Sequence, residues 1–477
     1  MKKVLSEYPL AFVVGEKDLE GRIDVNYYKP EYTEMLLKLR KGPFELKRLG
    51  DMVILSHERW RKPVSGTFRY VEINDIDIET AKIANAKEID VSHAPSRAQM
   101  LIRKDDVIVS TTRPYRGAIA LVTGEFDGCV CSTGFAVIRE LKTGINRKYL
   151  LHFLHSDPGL KQFEQRMTGG NYPAISPDEL LEIQIPYPSP DIQDSIVASI
   201  DEALQRKRTM EMKADDLLDS FNDSLLSELG IVLQKSEDQS PIEYGVGASC
   251  LKNNRWDVEY WKPKHIRMDK AIEAGRYSSS HFGSIIERIV NGLDYRDFSE
   301  EGTKYLRVGN IRPFGIDETV IEHIAVSLHD VTKDVILEKE DILLTRKGTF
   351  GVATLAESQD YIISSEIFRI KLTPDKQINA FYVVAILNSD IGRFQFSRKK
   401  VGTIMGSLSQ EAVKQILIPI PPKAIQDKVA KEVKERIKEA GQLREEAKHE
   451  LEEREGWFER VVKGEEAYES GICESHR

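Results

Sequence analysis

Two long stretches of the chain carry apolar residues in steps of three and four, the spacing of one face of an α-helix. The first stretch spans residues 191–229 and contains no Gly or Pro. The second spans residues 423–460 and contains two glycines, Gly441 and Gly456. The apolar positions are Ile192, Ile196, Ile200, Ala203, Met210, Ala214, Leu217, Phe221 and Leu225 in the first stretch, and Ile425, Val429, Val433, Ile437, Ala440, Leu443, Ala447 and Leu451 in the second.

Each of these helices would be roughly 57 Å long, at 1.5 Å per residue for about 38 residues. A helix of that length cannot bury its apolar face against one small domain. The pattern therefore predicts that the two helices pair antiparallel as a coiled coil, each covering the apolar face of the other. A single solvated helix is the alternative, and the continuous apolar face argues against it.

Short runs rich in Val, Ile, Thr and aromatic residues occupy much of the remaining chain. Examples are DVIVSTTR (106–113), CVCSTGFAVIRE (129–140), DILLTRKGTFGVATLAE (341–357) and YIISSEIFRIKL (361–372). Because such runs are bounded by Gly, Asp and Pro, they indicate β-strands. Helical stretches such as RKYLLHFLHSD (147–157) lie between them. The pattern predicts mixed α/β domains with a substantial β core.

The sequence contains a tandem repeat, whose two copies are offset by 233 residues. The phrase QIPYPSPDIQD (184–194) is echoed by LIPIPPKAIQD (417–427), and each copy stands just before a long helix. Prolines in these phrases cannot continue a helix or a strand ladder, so the phrase marks a junction between a domain and a helix. The other matches are RIDVNYYKP with RWDVEYWKP, Thr112-Arg113 with Thr345-Arg346, Phe135 with Phe368, Ile175-Ser176 with Leu408-Ser409, and TFRYVEINDID (67–77) with TKYLRVGNIRP (303–313) at an offset near 235.

These patterns predict an α+β fold class, namely a tandem pseudo-twofold repeat. Two mixed α/β domains are separated by two long antiparallel coiled-coil helices. The predicted boundaries are residues 1–190 for the first domain, 191–230 for the first helix, 231–422 for the second domain, 423–460 for the second helix and 461–477 for a C-terminal tail.

Composition indicates a globular cytoplasmic protein of 477 residues. Hydrophobic residues make up 41% and charged residues 30%, which is enough apolar surface to bury real cores. No run reaches the roughly 18 apolar residues of a membrane span, and the N-terminal apolar run lacks a signal-peptide cleavage site. The four cysteines, Cys129, Cys131, Cys250 and Cys473, form no CxxC pair, so we expect a reducing cytosol.

The net charge of −9 does not exclude nucleic acid as a ligand. Residues 191–229 carry a net charge of −6 and residues 421–470 a net charge of −3, so the two helical segments hold the whole excess. The rest of the chain is balanced, and a balanced domain can still present a basic face.

Motifs for catalysis are missing from the sequence. The chain has no GxxxxGK[ST] phosphate loop, no HExxH and no GxSxG. TGGNYP (168–173) lacks the order of the Asn-Pro-Pro-Tyr motif of amino-methyltransferases, and His152 and His155 have no companion metal ligands. We therefore expect no catalytic residue, no cofactor and no metal site in this chain, which points to a recognition module.

Loops that mix cationic, aromatic and small polar residues are the candidate nucleic-acid contacts. Arginine and lysine grip phosphates and read guanine edges, while Thr, Asn and Tyr add further contacts. The equivalent placement of TTRPYRG and LTRKGTFG in the two repeats favours them. The candidate DNA-binding residues are Arg59, Arg61, Lys62, Thr112, Arg113, Tyr115, Arg116, Asn171 and Tyr172 in the first domain, and Asn291, Tyr295, Arg296, Arg346, Lys347, Thr349, Arg398, Lys399 and Lys400 in the second.

The domain, the IPxPxxxxQ phrase, the long helix and the repetition of the whole unit resemble the specificity subunit of type I restriction–modification enzymes, the HsdS family. The resemblance covers residues 1–460. Its most specific parts are NYPAISPDELLEIQIPYPSPDIQDSIVASID (171–201) and MGSLSQEAVKQILIPIPPKAIQDKVAKEV (405–433). Gly441 in the second helix and the tail after residue 460 depart from a symmetric repeat.

The resemblance implies two target-recognition domains that each read half of a bipartite site in double-stranded DNA. It implies that the paired helices fix the gap between half-sites and dock two DNA adenine methyltransferase subunits, which two translocase–nuclease subunits can join. S-adenosylmethionine would belong to the methyltransferase partner, and ATP and Mg²⁺ to the nuclease partner. The alternatives are a non-catalytic scaffold, a specificity module of a methyltransferase without a nuclease partner, and a solitary methyltransferase or nuclease.

Overall fold

The computed structural model describes residues 12–15, 22, 24–142, 144–233, 245, 259–326, 335–374, 377–401 and 406–468. The contacts divide the chain into two compact units. We call residues 2–210 with 445–477 the first unit, and residues 211–444 the second unit. Both divisions fall inside the two long helices, so each unit contains one half of each helix.

The first unit contains twelve short strands and the helices between them, within the described residues. Its strands are β1 Leu46–Arg48, β2 Val53–Leu55, β3 Thr67–Val71, β4 Ile76–Asp77, β5 Lys82–Ile83, β6 Lys87–Asp90, β7 Ala98–Leu101, β8 Val107–Ser110, β9 Ile119–Leu121, β10 Val130–Ser132, β11 Phe135–Leu141 and β12 Gln184–Pro186. Its helices are α1 Pro30–Lys41, α2 Leu49–Met52, α3 Arg147–His155, α4 Asp157–Arg166 and α5 Pro177–Leu181. The first long helix is α6 Pro190–Leu229.

The second unit repeats this order of elements. Its helices are α7 Pro263–Glu273, α8 Ala380–Asn388, α9 Asp390–Lys399 and α10 Gln410–Lys414, and the second long helix is α11 Lys423–Lys463. Its strands are β13 Ser279–His281, β14 Ile286–Asn291, β15 Phe298–Ser299, β16 Thr303–Leu306, β17 Ile311–Arg312, β18 Gly315–Ile316, β19 Glu322–Ile324, β20 Ile342–Thr345, β21 Ala353–Leu355, β22 Tyr361–Ile363, β23 Ile367–Leu372 and β24 Leu417–Pro419.

The first unit has three layers, with one sheet between a second sheet and the helices. The central sheet has the order β2-β11-β8-β9 and the outer sheet the order β6-β3-β10-β7. Strand β8 is buried on both faces. Val107 and Val109 pack with the helices, whereas Ile108 packs with the outer sheet. Because alternate residues of a strand face opposite sides, a doubly covered strand reads as the continuous apolar run seen in the sequence.

The second unit has the same two sheets, in the orders β14-β23-β20-β21 and β15-β19-β16-β22. Each outer sheet contains a parallel pair, β3 with β10 in the first unit and β16 with β22 in the second, although β10 lies inside its sheet and β22 lies at the edge of the described sheet. The mixed α/β domain predicted from the sequence is therefore confirmed in both halves.

Each unit packs on the beginning of one long helix and the end of the other. In the first unit, Ile196 and Ile200 near the start of α6 share a core with Phe458 and Val462 near the end of α11. In the second unit, Val429 and Val433 near the start of α11 share a core with Phe221 and Leu225 near the end of α6. The helices are therefore part of each hydrophobic core.

The two long helices run antiparallel within each unit, as predicted. In the second unit, Lys428 pairs with Glu228 at 2.8 Å, and Ser224 Oγ donates to Glu432 Oε1 at 2.7 Å. Numbers fall on one helix as they rise on the other. In the first unit, Arg206 of α6 pairs with Glu450 of α11 at 3.0 Å.

The repeated proline phrase is a hydrogen-bonded junction built around a buried glutamine. Gln193 is fully buried. Its Nε2 donates to Pro188 O at 2.9 Å, and its Oε1 accepts from Asn146 N at 2.7 Å. Tyr149 Oη donates to Pro186 O at 2.8 Å. The phrase thereby ties the start of α6 to the start of α3, since Asn146 caps α3.

The second copy of the phrase makes the same bonds. Gln426 Nε2 donates to Pro421 O at 2.9 Å, and its Oε1 accepts from Asn379 N at 2.9 Å. Tyr382 Oη donates to Pro419 O at 2.9 Å. These equivalent hydrogen bonds support the duplication more directly than the sequence similarity does, because the bonded side chains and backbone groups correspond one to one.

The structure corrects one of the residue matches taken from the 233-residue offset. Phe135 pairs with Ser110 across the central sheet, and Ile367 pairs with Thr345 at the same place in the second unit. Ile367, not Phe368, is therefore the counterpart of Phe135. A shift of one residue turns a strand side chain to the other face, and Phe368 accordingly packs with the helices of its unit.

Candidate nucleic-acid interface

The hairpin between β8 and β9 carries Thr112, Arg113, Tyr115 and Arg116. Arg113 has a left-handed backbone, with φ of 48°, which is uncommon for a residue other than glycine. Its N–H donates to Pro173 O at 2.7 Å. Thr112 forms an isolated antiparallel bridge with Ala174. The hairpin is thus fastened to the segment that contains the TGGNYP motif.

The side chain of Arg113 lies against that same segment. Its guanidinium carbon is 5.2 Å from the centre of the Tyr172 ring, and its Nη2 donates to Asn171 O at 3.2 Å. Tyr172 is 75% exposed, although a tyrosine without a role at the surface is usually partly covered. A guanidinium has five N–H donors, so Arg113 held on Tyr172 can still present donors to a base or a phosphate.

Tyr115 and Arg116 follow Arg113 in a 3₁₀ turn, Pro114–Arg116. Arg116 is exposed and Tyr115 is half-buried. The structure therefore brings Thr112, Arg113 and Arg116 together with the exposed Asn171 and Tyr172 in one patch. These are the sequence candidates that share a surface in the first unit.

Arg59, Arg61 and Lys62 lie instead beside the outer sheet. Arg59 Nη1 donates to Gln99 Oε1 at 2.5 Å, and Arg61 and Lys62 are exposed. Next to them, hydrogen bonds from Arg103 and Arg139 lower the pKa of Glu58. The neighbouring carboxylate is therefore committed to other arginines, and the cations of this loop remain available at the surface.

The hairpin between β20 and β21 is the second unit's counterpart of the β8–β9 hairpin. Arg346 N donates to Glu366 O at 2.8 Å, as Thr111 N donates to Gly134 O at 2.7 Å. Arg346 O accepts a hydrogen bond from Leu408 N, and Thr111 O accepts one from Ile175 N, both at 2.9 Å. This places Arg346 at the position of Thr111.

The residue-by-residue match of Thr112-Arg113 with Thr345-Arg346 is therefore wrong by two positions. The offset at this hairpin is 235, because residues are inserted earlier in the second copy. Lys347 takes the place of Thr112, and both form an isolated bridge to the facing segment. Gly348 takes the place of Arg113 and shares its left-handed backbone, with φ of 67°.

Arg346 is more enclosed than the sequence suggests. Its guanidinium lies 5.2 Å from the ring centre of Phe368, and Nη1 donates to Ser365 O at 3.4 Å. Its Nε is buried without a hydrogen-bond partner in the part of the chain that the structure describes. Lys347 and Thr349 are exposed, so Lys347 is the cation that this hairpin presents to solvent.

Asn291 is the last residue of β14, and Tyr295 and Arg296 lie in the loop that follows. Asn291 Oδ1 accepts from Gln410 Nε2 at 3.1 Å, which ties this loop to the start of α10. Tyr295 packs on a small cluster of the outer sheet. The Arg296 side chain is 88% exposed, with Nε 3.6 Å from Asp294 Oδ1.

Arg398 and Lys399 are buried rather than displayed, each only 8% exposed. Arg398 Nε donates to Tyr260 O at 2.9 Å, and its guanidinium stacks 4.2 Å from the Tyr260 ring centre. It also pairs with Asp269. Both side chains anchor the segment before α7, so we leave them out of the proposed interface. Lys400 is exposed at the end of α9.

The sequence did not predict one further candidate site for DNA contact. A cleft of about 700 Å³ opens beside Lys347 in the second unit, and its walls include Arg307 and Arg312. The two arginines lie in the segment TKYLRVGNIRP, which the sequence marked only as a repeat match. The sequence did contain a sign of this site. When the two repeats are aligned, the charged residues of this segment differ from those of TFRYVEINDID.

Metal-binding clusters and membrane-spanning helices were sought among the described residues. In the described ranges, no group of three or more His, Cys, Asp or Glu side chains is placed to hold a metal ion. No helix among them is long and apolar enough to cross a bilayer.

Comparisons with known proteins give one consistent family. A family model described as "Type I restriction modification DNA specificity domain" matches residues 42–214 and 295–453. The chain is 26% identical over 160 residues to "Type I restriction enzyme HindI specificity subunit" of Haemophilus influenzae. That alignment covers 32% of this chain and 35% of the relative, so the match spans about a third of the relative's length.

Two solved structures are similar to this chain over most of its length. A chain from "Structural basis underlying complex assembly and conformational transition of the type I R-M system" is 20% identical, with a TM-score of 0.50, and the match covers 88% of this chain and 97% of that one. "Crystal structure of HsdS subunit from Thermoanaerobacter tengcongensis" is 21% identical with a TM-score of 0.37, covering 89% and 97%. The first of these shows a common fold. Because the family model covers well over half of its residues, this chain belongs to the type I restriction–modification DNA specificity family.

Proposed function

We propose that this chain is the sequence-specific DNA-binding subunit of a type I restriction–modification complex in the prokaryotic cytoplasm. The domain of each unit reads one half of a bipartite double-stranded site. The long helices set the spacing between half-sites and dock two DNA adenine methyltransferase subunits, which bring S-adenosylmethionine. Two translocase–nuclease subunits, with ATP and Mg²⁺, can join that complex. No catalytic step is assigned to this chain.

One observation carries the proposal: the two units build the same hairpin and place different side chains on it. The backbone bonds that fix Thr111 and Arg346 are equivalent, and the left-handed residues Arg113 and Gly348 coincide in the repeat. A scaffold that conserves the backbone and changes the exposed side chains suits two readers of different sequences.

The chemistry of the exposed residues supports DNA as the ligand. Arg113 on Tyr172, with Arg116 nearby, can contact guanine edges or phosphates in the first half-site. Lys347 and Thr349 would do so in the second. The helices carry the acidic excess, which repels phosphates and suits protein partners.

Methylome sequencing of a reconstituted complex tests this function. The chain would be co-expressed with a type I adenine methyltransferase subunit from the same genome, in a host lacking other adenine methylation. We expect methylated adenines at one two-part motif. A complex that methylates no defined motif, or a chain that binds no methyltransferase subunit, would leave the scaffold alternative standing.

Single variants assign the half-sites. Arg113→Ala should weaken discrimination in one half-site and Lys347→Ala in the other. The matched controls are Lys104→Ala and Lys339→Ala. Lys104 and Lys339 are exposed cations at the opposite ends of β8 and β20, so their loss should leave the motif unchanged. Effects from the controls as large as those from the hairpin variants would contradict the assignment.

A further inference from the structure

The cleft beside Lys347 has charged walls that are already paired with one another. Arg307 Nη1 lies 2.9 Å from Glu322 Oε1, and Arg312 Nη2 lies 3.0 Å from Asp317 Oδ2. Hydrogen bonds from Thr319 lower the pKa of Asp317, which keeps this carboxylate ionised. A cleft with balanced charge is a poor site for a phosphate. It offers donors and acceptors side by side, as the edge of a base pair does.

The wall of the cleft is held rigidly from within. Asn310 is 7% exposed, and its Nδ2 donates to Asp317 O at 3.0 Å and to Val320 O at 2.9 Å. Its Oδ1 accepts from Arg307 N at 2.9 Å. The backbone that carries Arg307 is therefore fixed, and the side chains of the wall can vary without moving it.

The first unit contains the same ion pair with its polarity reversed. Glu72 and Lys87 are 2.9 Å apart. The register of the outer sheets shows the equivalence, since Tyr70 pairs with Lys87 and Tyr305 pairs with Glu322. Glu72 N donates to Asp75 Oδ2 as Arg307 N donates to Asn310 Oδ1. Glu72 thus stands where Arg307 does, and Lys87 where Glu322 does.

Reversal of the pair leaves its contribution to folding almost unchanged, because a partly exposed ion pair at the surface contributes only about 0–1 kcal/mol in either direction. It does exchange the hydrogen-bond donor and the acceptor that the wall displays. Arginine and lysine recognise the acceptors of guanine, whereas a carboxylate accepts from the amino group of cytosine. Stability therefore gives no reason for the reversal, and recognition of different bases does.

We propose that the Arg307–Glu322 pair, together with Lys347, determines the base specificity of the second half-site, and that Glu72–Lys87 does so for the first. This proposal rests on the proposed function. It assigns readout to the cleft as well as to the hairpin tip, and it makes the polarity of one ion pair the difference between the two half-sites at that position.

The test is the double variant Arg307→Glu with Glu322→Lys, which gives the second unit the polarity of the first. The complex with its methyltransferase is analysed by methylome sequencing. We expect a changed base preference at one or two positions of one half-site, with the other half-site and the spacer unchanged. Methylation of the original motif should fall roughly 5- to 160-fold, the range of one good base contact.

The matched control reverses an exposed pair outside the cleft, Glu411→Lys with Lys414→Glu, whose charged groups are 3.1 Å apart. Lys347→Ala is the second variant. Its side chain is exposed, so it should leave folding intact and weaken methylation at the same half-site. Thermal denaturation of each variant verifies that the fold is retained.

The outcomes separate the two claims. A wild-type complex that methylates a bipartite motif, together with a folded double variant and Lys347→Ala that both keep that motif and its rate, would overturn the role of the cleft and leave the proposed function intact. A wild-type complex without a defined motif would overturn the proposed function itself. If the double variant does not fold, an unchanged motif in Lys347→Ala overturns the cleft assignment.

Discussion

At the scale of single residues, Arg113 of the β8–β9 hairpin is held in place by the facing segment that contains Tyr172. Arg113 has a left-handed backbone that glycine adopts at the same place in the second unit. Strain of this kind persists only when contacts fix it, and here the Tyr172 ring and Asn171 O provide them. The arginine is therefore oriented before any ligand arrives, which reduces the entropy lost on binding.

Replacement of Tyr172 tests this orientation. Tyr172→Ala removes the ring beneath Arg113 and should weaken methylation at one half-site, by about 0.5–2 kcal/mol of binding free energy for a lost cation–π contact. Tyr172→Phe keeps the ring and should keep the rate. The measurement is the methylation rate of duplexes altered in one half-site at a time. Equal losses from both variants would mean that the hydroxyl, not the ring, is what matters.

Gln193 offers a prediction about stability. Gln193→Ala leaves Asn146 N and Pro188 O without their buried partner, which should cost about 1–3 kcal/mol. Chemical denaturation of the full chain measures it. Gln205→Ala on the exposed face of α6 is the control, because Gln205 is exposed. A Gln193 variant as stable as the Gln205 variant would show that the junction bonds contribute nothing net.

Residues also mark the limit of prediction from sequence. The Ser-Arg-Lys-Lys run at 397–400 has the composition of a solvated surface, yet Arg398 and Lys399 are buried beside Tyr260. Their partners lie more than a hundred residues away in the chain, and a hydrophobic pattern along one helix contains no information about them. The repeat of the two junction glutamines was evident in the sequence, whereas the hydrogen bonds that they accept from Asn146 N and Asn379 N could not be predicted from it.

At the scale of elements, the long helices and the strand runs were predictable because their periodicity is local. The strand β20 was not aligned correctly, because a two-residue insertion shifts the repeat offset from 233 to 235 and a fixed offset cannot follow it. The antiparallel pairing of α6 and α11 followed from their length. Their incorporation into both cores did not, since it depends on which globular surfaces meet them.

Helix α3 and its counterpart α8 differ in a way that makes the first unit sensitive to acid. His152 of α3 is replaced by Ala385 in α8. Burial lowers the pKa of His152 to about 4, although Asp201 of α6 opposes this shift. The folded-state pKa therefore lies below the unfolded value of about 6.5. The stability of the neutral histidine is full above pH 6.5 and is lost as the pH falls toward 4.

We expect the first unit to lose roughly 2 kcal/mol between pH 7.5 and pH 5 from this group alone. His152→Ala, which copies the second unit, should remove that part of the loss. Calorimetry of the full chain and of the variant at the two pH values measures the difference. The same pH dependence in both proteins would show that His152 does not titrate as its burial indicates.

At the scale of the whole molecule, the duplication gives the proposed function its two parts, one recognition domain for each half of the site. Each unit has its own sheets, its own hairpin and its own copy of the junction, and it contains one half of each long helix. Changes on one hairpin therefore need not disturb the other. Specificity for the two half-sites can change independently, while the helices that join the units are held by both cores.

Under the proposed function, the length of the helices sets the distance between half-sites. Duplicating residues 204–210 in α6 and residues 445–451 in α11 adds one heptad to each helix, close to where the two units divide. A heptad preserves the register of the apolar seam. It adds about 10 Å of helix, which corresponds to roughly three base pairs of DNA.

We expect the complex with both insertions to methylate the same two half-sites, separated by about three more base pairs, in a methylome measured beside the wild type. Insertion in α6 alone should instead shift its seam against α11, lower the melting temperature and abolish methylation. Retention of the original spacer by a folded, active double-insertion variant would show that the distance between half-sites is fixed by something other than these helices. The comparison separates spacing from recognition, because the hairpins and the cleft are identical in both proteins.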